Sequence, residues 1–245
     1  MVHYYKIDAC GNDFILLEER PHRKLIMELC DRTQGIGADG VMVYLPGEEG
    51  LVFEHYDPDG SFSYCLNGTR ASISCLFKQK KIPERGIVSL GKDKVPYQMR
   101  DTPCLFLEKR WPSLKKVETS KGTVDGYFVD VGNPHFVLVS KDLDLYRSIA
   151  NEIRHQGIFP NGANVHLMRE SGAWWDIFSY ERGVEDFTLS CGSGTLAAAC
   201  VVFGIFNMEQ IVFNPEGNGK ITCEAHGPLI SLKGPVSCTT EGEWT

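Results

Sequence analysis

No C-x-x-C pair occurs among the nine cysteines of this 245-residue chain, and none of its seven histidines stands in H-x-x-x-H or comparable spacing. A structural zinc site therefore has no ligand pattern to build on, and no metal is expected. Also missing is any apolar run of about 18 residues, the length a membrane-spanning helix requires; "TLAAACVVFGIF" is too short. The N-terminal "MVHYYKIDAC" has no apolar core of the secretory kind. With an odd number of cysteines and no such signal, the expected state is free thiols in a reducing compartment, the cytoplasm. Basic runs and aromatic–basic stripes are absent, and the net charge is −7, which excludes a nucleic-acid backbone as partner. No dinucleotide-binding glycine pattern appears either. A composition of 42% hydrophobic and 23% charged residues leaves a soluble globular protein.

What the chain does contain is a repeat. "CLNGTRASISC" (65–75) and "SCGSGTLAAAC" (190–200) share C-x-x-G-T, with Cys65 and Cys191 separated by 126 residues. "IDACGNDFIL" parallels "VDVGNPHFVL", placing Asn133 121 residues after Asn12, and "RTQGIGADGV" parallels "RHQGIFPNGANV" at an offset of 122. "YDPDG" matches "YERG" more loosely, at 124. Four pairs in one order imply two similar domains, and the period is far too long for a solenoid. Each half opens with alternating, strand-like residues. An amphipathic helix candidate follows, "HRKLIMELCDRT" or "LDLYRSIANEIRHQ", with Gly35 and Gly157 as its stops. Further strands lead to the cysteine and a second helix. The helix from Thr195 to Phe206, capped by Ser193 or Thr195, is apolar nearly all round, so a strongly curved sheet must enclose it. The polar stretch 114–126 reads as a linker, dividing the chain into residues 1–118 and 119–245, with the last residues free to pack back on the first domain.

Gly192 and Gly194, after the second cysteine, permit close backbone approach. A cysteine directly before a helix lies at its positive end, where a thiolate is favoured. A pseudo-twofold arrangement of the halves would set Cys65 and Cys191 on opposite sides of a molecule bound in the cleft between them. One thiolate could then remove a proton from one face of a carbon while the opposed thiol returns one to the other. Helix N–H groups aimed at a neighbouring carboxylate would stabilise the charge that deprotonation builds there. Inversion of a stereocentre follows from such a pair.

At this level of detail the chain resembles the diaminopimelate epimerase family, through "GNDF", "GIGADGV", "DPDGS", "CLNGTR", "VDVGNPH", "FPNGANV", "YERGV" and "CGSGT" in family order over nearly the whole length. The resemblance implies an α/β (α+β) fold of two pseudo-symmetric domains, each a β-barrel-like sheet around a central helix, with the active site in the interdomain cleft. It implies a cofactor-independent enzyme of lysine and peptidoglycan biosynthesis, a homodimer acting on a small amino acid. Cys65 and Cys191 match the two catalytic bases. The backbone amides of Leu66, Asn67, Gly192 and Ser193 match an α-carboxylate cradle. Asn12, Asn133, Asn164, Glu181 and Arg182 match residues that hold the substrate, and Asp57 falls in the same set. His135, in "GNPH", receives no role. Three positions depart from the family pattern: Leu66 replaces a glycine beside the cradle, Asp57 replaces an asparagine near the distal group, and Phe187 stands where a smaller or polar residue is expected. Asp57 would repel a distal carboxylate and suit a cation or imidazole. A racemase of another amino acid, such as histidine, and a non-catalytic binding protein of the same fold therefore remain alternatives, as does a redox protein using a Cys65–Cys191 disulfide.

Overall fold

The alternation at the N-terminus forms a hairpin in the computed structural model, which describes residues 1–245. Strands β1 (Val2–Ala9) and β2 (Asn12–Leu17) turn through Cys10 and Gly11, both at positive φ. Helix α1 (Arg23–Cys30) buries Ile26, Leu29 and Cys30, and is capped by the His22 ring, which accepts the Leu25 N–H at 3.1 Å. It carries the chain to β3 (Gly40–Gly47), parallel to β2 with Phe14 opposite Gly40. Strand β4 (Gly50–Tyr56) returns antiparallel to β3, and the short β5 (Phe62–Ser63) pairs with it. Helix α2 (Leu66–Lys78) follows, then β6 (Arg85–Leu90) parallel to β4, β7 (Asp93–Met99) and β8 (Pro103–Glu108).

The same order returns after β9 (Ser113–Thr119). Strands β10 (Gly122–Asp130) and β11 (Pro134–Val139) form the hairpin, and α3 (Leu143–Arg154) leads to β12 (Asn164–Ser171), parallel to β11. Strand β13 (Trp174–Glu181), the short β14 (Asp186–Thr188) and α4 (Gly192–Ile205) follow, and β15 (Gln210–Pro215) runs parallel to β13. Last come β16 (Ile221–His226), β17 (Leu229–Lys233) and β18 (Ser237–Trp244), the last of which pairs antiparallel with β1. Every pairing around α2 thus has its counterpart around α4. The fold is mixed α/β, with sheet wrapped on a central helix in each half.

Residues Met1–Phe106 with Lys233–Thr245 form one unit and Leu107–Leu232 the other. The division comes ahead of the 118/119 junction, because residues 114–126 are not a linker. They lie in the β9–β10 hairpin, where Val117 is buried and faces Val124. The lysines and threonines that resemble a linker are the wet face of that hairpin.

In the first unit α2 packs against β1, β2, β3 and β18; in the second α4 packs against β10, β11, β12, β15 and β16. Residues 192–203 of α4 are all buried, as an all-round apolar helix demands. Helix α2 is equally enclosed from Leu66 to Leu76 but carries Asn67, Thr69, Arg70, Ser72 and Ser74. Two local expectations change. Gly35 does not stop α1, which ends at Cys30 where Asp31 turns away and takes the N–H groups of Thr33 and Gln34 at 2.7 and 3.0 Å. Gly35 is required instead because a Cβ there would lie 1.9 Å from the Glu28 carbonyl oxygen. Neither Ser193 nor Thr195 caps α4: both lie inside it, and the cap is Cys191.

Candidate active site

Cys65 and Cys191 hold the same structural place, one in each unit. Each is the N-cap of its helix, in extended backbone (φ −132°, ψ 106° and φ −120°, ψ 110°). The sulfur accepts the N–H three residues on: Gly68 to Cys65 at 3.3 Å, Gly194 to Cys191 at 3.4 Å. The hydroxyls of Thr69 and Thr195 both donate to the preceding cysteine's carbonyl at 2.8 Å, closing the first turn. Sulfur has taken the place that an oxygen side chain usually fills. Each thiol is thereby held against the positive end of a buried helix. Leu66, Asn67, Gly192 and Ser193 form the first turns, where backbone N–H groups precede the helix's own ladder.

Both glycines in C-x-x-G-T lie close under a neighbouring side chain, a flexible one at Gly68 and a fixed ring at Gly194. A Cβ on Gly68 would meet Met42 Sδ at 2.4 Å, and one on Gly194 would meet the His166 ring at 2.2–2.7 Å. His166 Nε2 pairs with His135 Nδ1 at 2.8 Å and His166 Nδ1 with Ser179 Oγ at 2.9 Å, all of them buried. Burial lowers the pKa of His166 to about 3. It also holds His135 well below its ordinary value, with His166 and Arg182 acting in the same sense. The pair is neutral, and it supports the α4 N-terminus from beneath.

In the first unit, a chain of side chains fixes part of the expected site. Asn67 Nδ2 donates to Asn12 Oδ1 at 3.4 Å, and Asn12 Nδ2 to Asp39 Oδ2 at 2.7 Å. Arg32 then clamps Asp39 at 2.6 Å and Asp13 at 2.8 Å. Leu66 is buried, so its side chain packs inside rather than forming an exposed wall. Asp57 stands apart from that chain. Its carboxylate accepts from Ser63 Oγ at 3.1 Å, and Ser63 pairs with His55 Nδ1 at 2.7 Å. A cavity of about 40 Å³ lies beside Cys65, walled by Met42, Phe53, His55 and Ser63.

The second unit gathers its residues more closely. The Arg182 guanidinium reaches Asn133 Oδ1 at 3.5 Å, and the Arg182 N–H donates to Asn164 Oδ1 at 2.9 Å. Glu181 accepts from Thr188 Oγ1 and also faces Cys191. Burial pushes the Cys191 thiol well above its usual range and the Glu181 carboxylate adds to this, while Ser193 and the Gly194 N–H pull it back. Phe187 is a packing residue: it meets Tyr180 and Tyr146 edge-on, at 5.1 and 5.6 Å between ring centroids. Three residues that sequence reasoning left without a role, Asp39, Arg70 and His166, support the first turns. Asp39 and Arg70 lie inside quoted motifs, but nothing in their spacing shows which neighbour they hold.

A protein of Methanothrix thermoacetophila named diaminopimelate epimerase is 30% identical over 98% of this chain and 95% of its own length. This chain belongs to the diaminopimelate epimerase family, whose members are amino-acid epimerases. The family's model matches residues 127–239. A diaminopimelate epimerase of Flavobacterium psychrophilum is 31% identical over 97% of this chain and 98% of its own. Among solved structures, a phenazine biosynthesis protein of the PhzF family from Enterococcus faecalis superposes with a TM-score of 0.78 at 14% identity, covering both chains fully. A hydroxyproline epimerase from Agrobacterium vitis does so with 0.73 at 11% identity, over 98% of this chain and 91% of that one. At such identities these two establish the fold alone. No helix is long and apolar enough to cross a membrane.

Proposed function

We propose that this protein interconverts LL- and meso-diaminopimelate, in lysine and peptidoglycan biosynthesis, by two-base thiol chemistry at the α-carbon. The observation that carries the reading is the matched pair of cysteine caps: two thiols, each on the N-terminus of a buried helix, each accepting the N–H three residues on. One thiolate takes the α-proton, and the electron pair left on carbon delocalises into the α-carboxylate. First-turn N–H groups of Leu66, Asn67, Gly192 and Ser193 receive that charge, which is larger in the transition state than in the substrate. The other thiol delivers its proton to the opposite face, so the centre inverts and the thiol and thiolate exchange places. Because the two titrations are linked, the pair rather than either sulfur has the relevant pKa values. Arg182 is suited to grip a distal carboxylate and Glu181 an ammonium group. Acid, base and carboxylate stabilisation all come from the chain, so the reaction needs no pyridoxal phosphate, metal or nicotinamide. The working form is a cytoplasmic homodimer.

The test is α-proton exchange in D₂O across a panel of amino acids, with both cysteines reduced. Deuterium entering diaminopimelate with inversion supports the reading; exchange confined to another amino acid overturns it. One observation favours a second reading. His55 lies 3.8 Å from the Asp57 carboxylate, and if Asp57 faces the distal end of the substrate, as the resemblance implies, it would repel a distal carboxylate. A racemase of a cationic or imidazole amino acid fits that charge. Faster exchange with histidine or lysine than with diaminopimelate, reversed in Asp57→Asn, would select it. No exchange with any member of the panel would leave a binding protein of this fold.

A further inference from the structure

The two caps are alike, but the helices behind them are not. C-x-x-G-T is followed by Arg70 in α2 and by Leu196 in α4. Arg70 is completely buried, at 0% exposure. One of its nitrogens, Nη2, donates to Asn67 Oδ1 at 3.0 Å, while Nε and Nη1 have no partner. No carboxylate pairs with it; the ionisable group that meets it is the buried thiol of Cys10, in the β1–β2 turn, whose charge and hydrogen bond with Arg70 oppose the effect of Asp8 on that thiol. A guanidinium with two nitrogens unpartnered and no carboxylate beside it is costly to bury, and an apolar residue of similar length would fill the space at less cost. Leu196 does so in the other unit, where it is 2% exposed. Mere filling of space does not explain the arginine.

Its position offers the explanation. Arg70 lies five residues beyond the Cys65 cap, about 7–8 Å along the helix axis. Inside a low-dielectric core an uncompensated charge acts over such a distance with little screening. Its bond to Asn67 Oδ1 fixes the side chain of that first-turn residue and through Asn12 reaches Asp39. We infer that Arg70 is a positioning residue for the Cys65 half of the site, holding the first turn of α2 in place and adding full positive charge to that helix end, so that negative charge on the Cys65 sulfur and on a substrate carboxylate is stabilised there more than at Cys191. The two half-sites are then electrostatically unequal. The Cys65 side holds the resting thiolate. Cys191, beside Glu181 and with leucine behind it, is the resting proton donor.

The inference rests on the two-base reading above, and its test separates the two. Arg70→Met, Arg70→Gln and Arg70→Lys are compared with the unchanged enzyme in three assays: thermal unfolding, iodoacetamide alkylation of Cys65 at neutral pH followed by peptide mass spectrometry, and kcat and KM for diaminopimelate. Arg70→Met should keep its unfolding midpoint or gain, since a buried charge has gone. Its Cys65 should alkylate about tenfold more slowly, one unit's worth of thiolate. Its kcat should fall roughly tenfold to a hundredfold, as befits lost transition-state charge stabilisation, with KM changed far less. Arg70→Lys, which keeps the charge but not the fork, should recover much of both rates. A folded Arg70→Met or Arg70→Gln with unchanged Cys65 reactivity overturns the inference, and so does loss of the fold in all three variants. If the unchanged enzyme fails to turn over diaminopimelate while the alkylation contrast holds, the proposed activity fails and the role of Arg70 stands.

Discussion

Substituting alanine for Gly194 should be far more damaging than the same change at Gly68, although the two occupy equivalent third positions of equivalent helices. The new methyl at Gly194 would lie 2.2 Å from His166 Cε1 and 2.6 Å from Nε2. That ring cannot swing aside freely, because both of its nitrogens are engaged, at 2.8 and 2.9 Å, in a fully buried place. Forcing a methyl into a packed core costs about 1–3 kcal/mol. Each buried hydrogen bond broken in making room adds roughly 1–3 kcal/mol if its partner is left unpaired. Alanine recovers about 1 kcal/mol of helix propensity. The net is about 2–4 kcal/mol for Gly194→Ala. At Gly68 the obstacle is the Met42 thioether, 2.4 Å away, on a flexible side chain that the propensity gain offsets almost fully. For a chain of this size the Gly194 variant should melt roughly 5–15 °C lower, and the Gly68 variant within about 4 °C of the parent. Circular dichroism melts in reductant measure both. In a His166→Ala background the obstacle is gone, so Gly194→Ala should then be nearly neutral, a coupling of about 2–4 kcal/mol. Equal melting shifts for the two glycine variants, or no coupling in the double variant, would refute the argument.

The neutral histidine pair predicts a pH dependence of stability. Folded His166 titrates near 3, so as pH falls from about 6.5 only the unfolded chain binds its proton. Urea unfolding at successive pH values should show stability flat above about 6.5 and falling towards 3, by up to about 1.4 kcal/mol per unit for each histidine; His166→Gln should flatten the slope. Asp13, which burial would raise, is drawn below its ordinary value by Arg32 and Lys6. Its contribution is present above the unfolded carboxylate pKa and is lost as pH falls through the folded one. Arg32→Ala should therefore lower stability at neutral pH by about 1 kcal/mol, since the arginine is exposed although Asp13 is half-buried, and hardly at all in strong acid. Cys65→Ser and Cys191→Ser should each lower epimerisation by about 10²–10⁴-fold with normal circular dichroism. Retained turnover in either variant, followed by chiral chromatography, would exclude two-base chemistry.

How much of this was legible in the sequence depends on the range of the interaction. The repeat, the order of strands and helices, and the cysteine before each central helix are written in local pattern and periodicity, and the structure reproduces them element by element. The all-round apolar run 196–203 announced its own enclosure, since no solvent-facing side could be found for it. Where local reading failed, a tertiary contact had outweighed it. Residues 114–126 resembled a linker because the polar face of a hairpin has linker composition, and only pairing across β9 and β10 reveals the buried Val117. Ser193 and Thr195 are better caps than cysteine by propensity, yet the sulfur of Cys191 takes that place because the strand before it delivers it there. Gly35 was read as a helix stop from its neighbours in sequence, whereas its need for no side chain comes from a carbonyl seven residues back. The contacts of the His135–His166–Ser179 chain, and the sparse bonding of the Arg70 guanidinium inside α2, cannot be read from any period, nor from the motifs that contain His135 and Arg70. They exist because distant segments were brought out of water together, where each polar atom must find a partner or do without one.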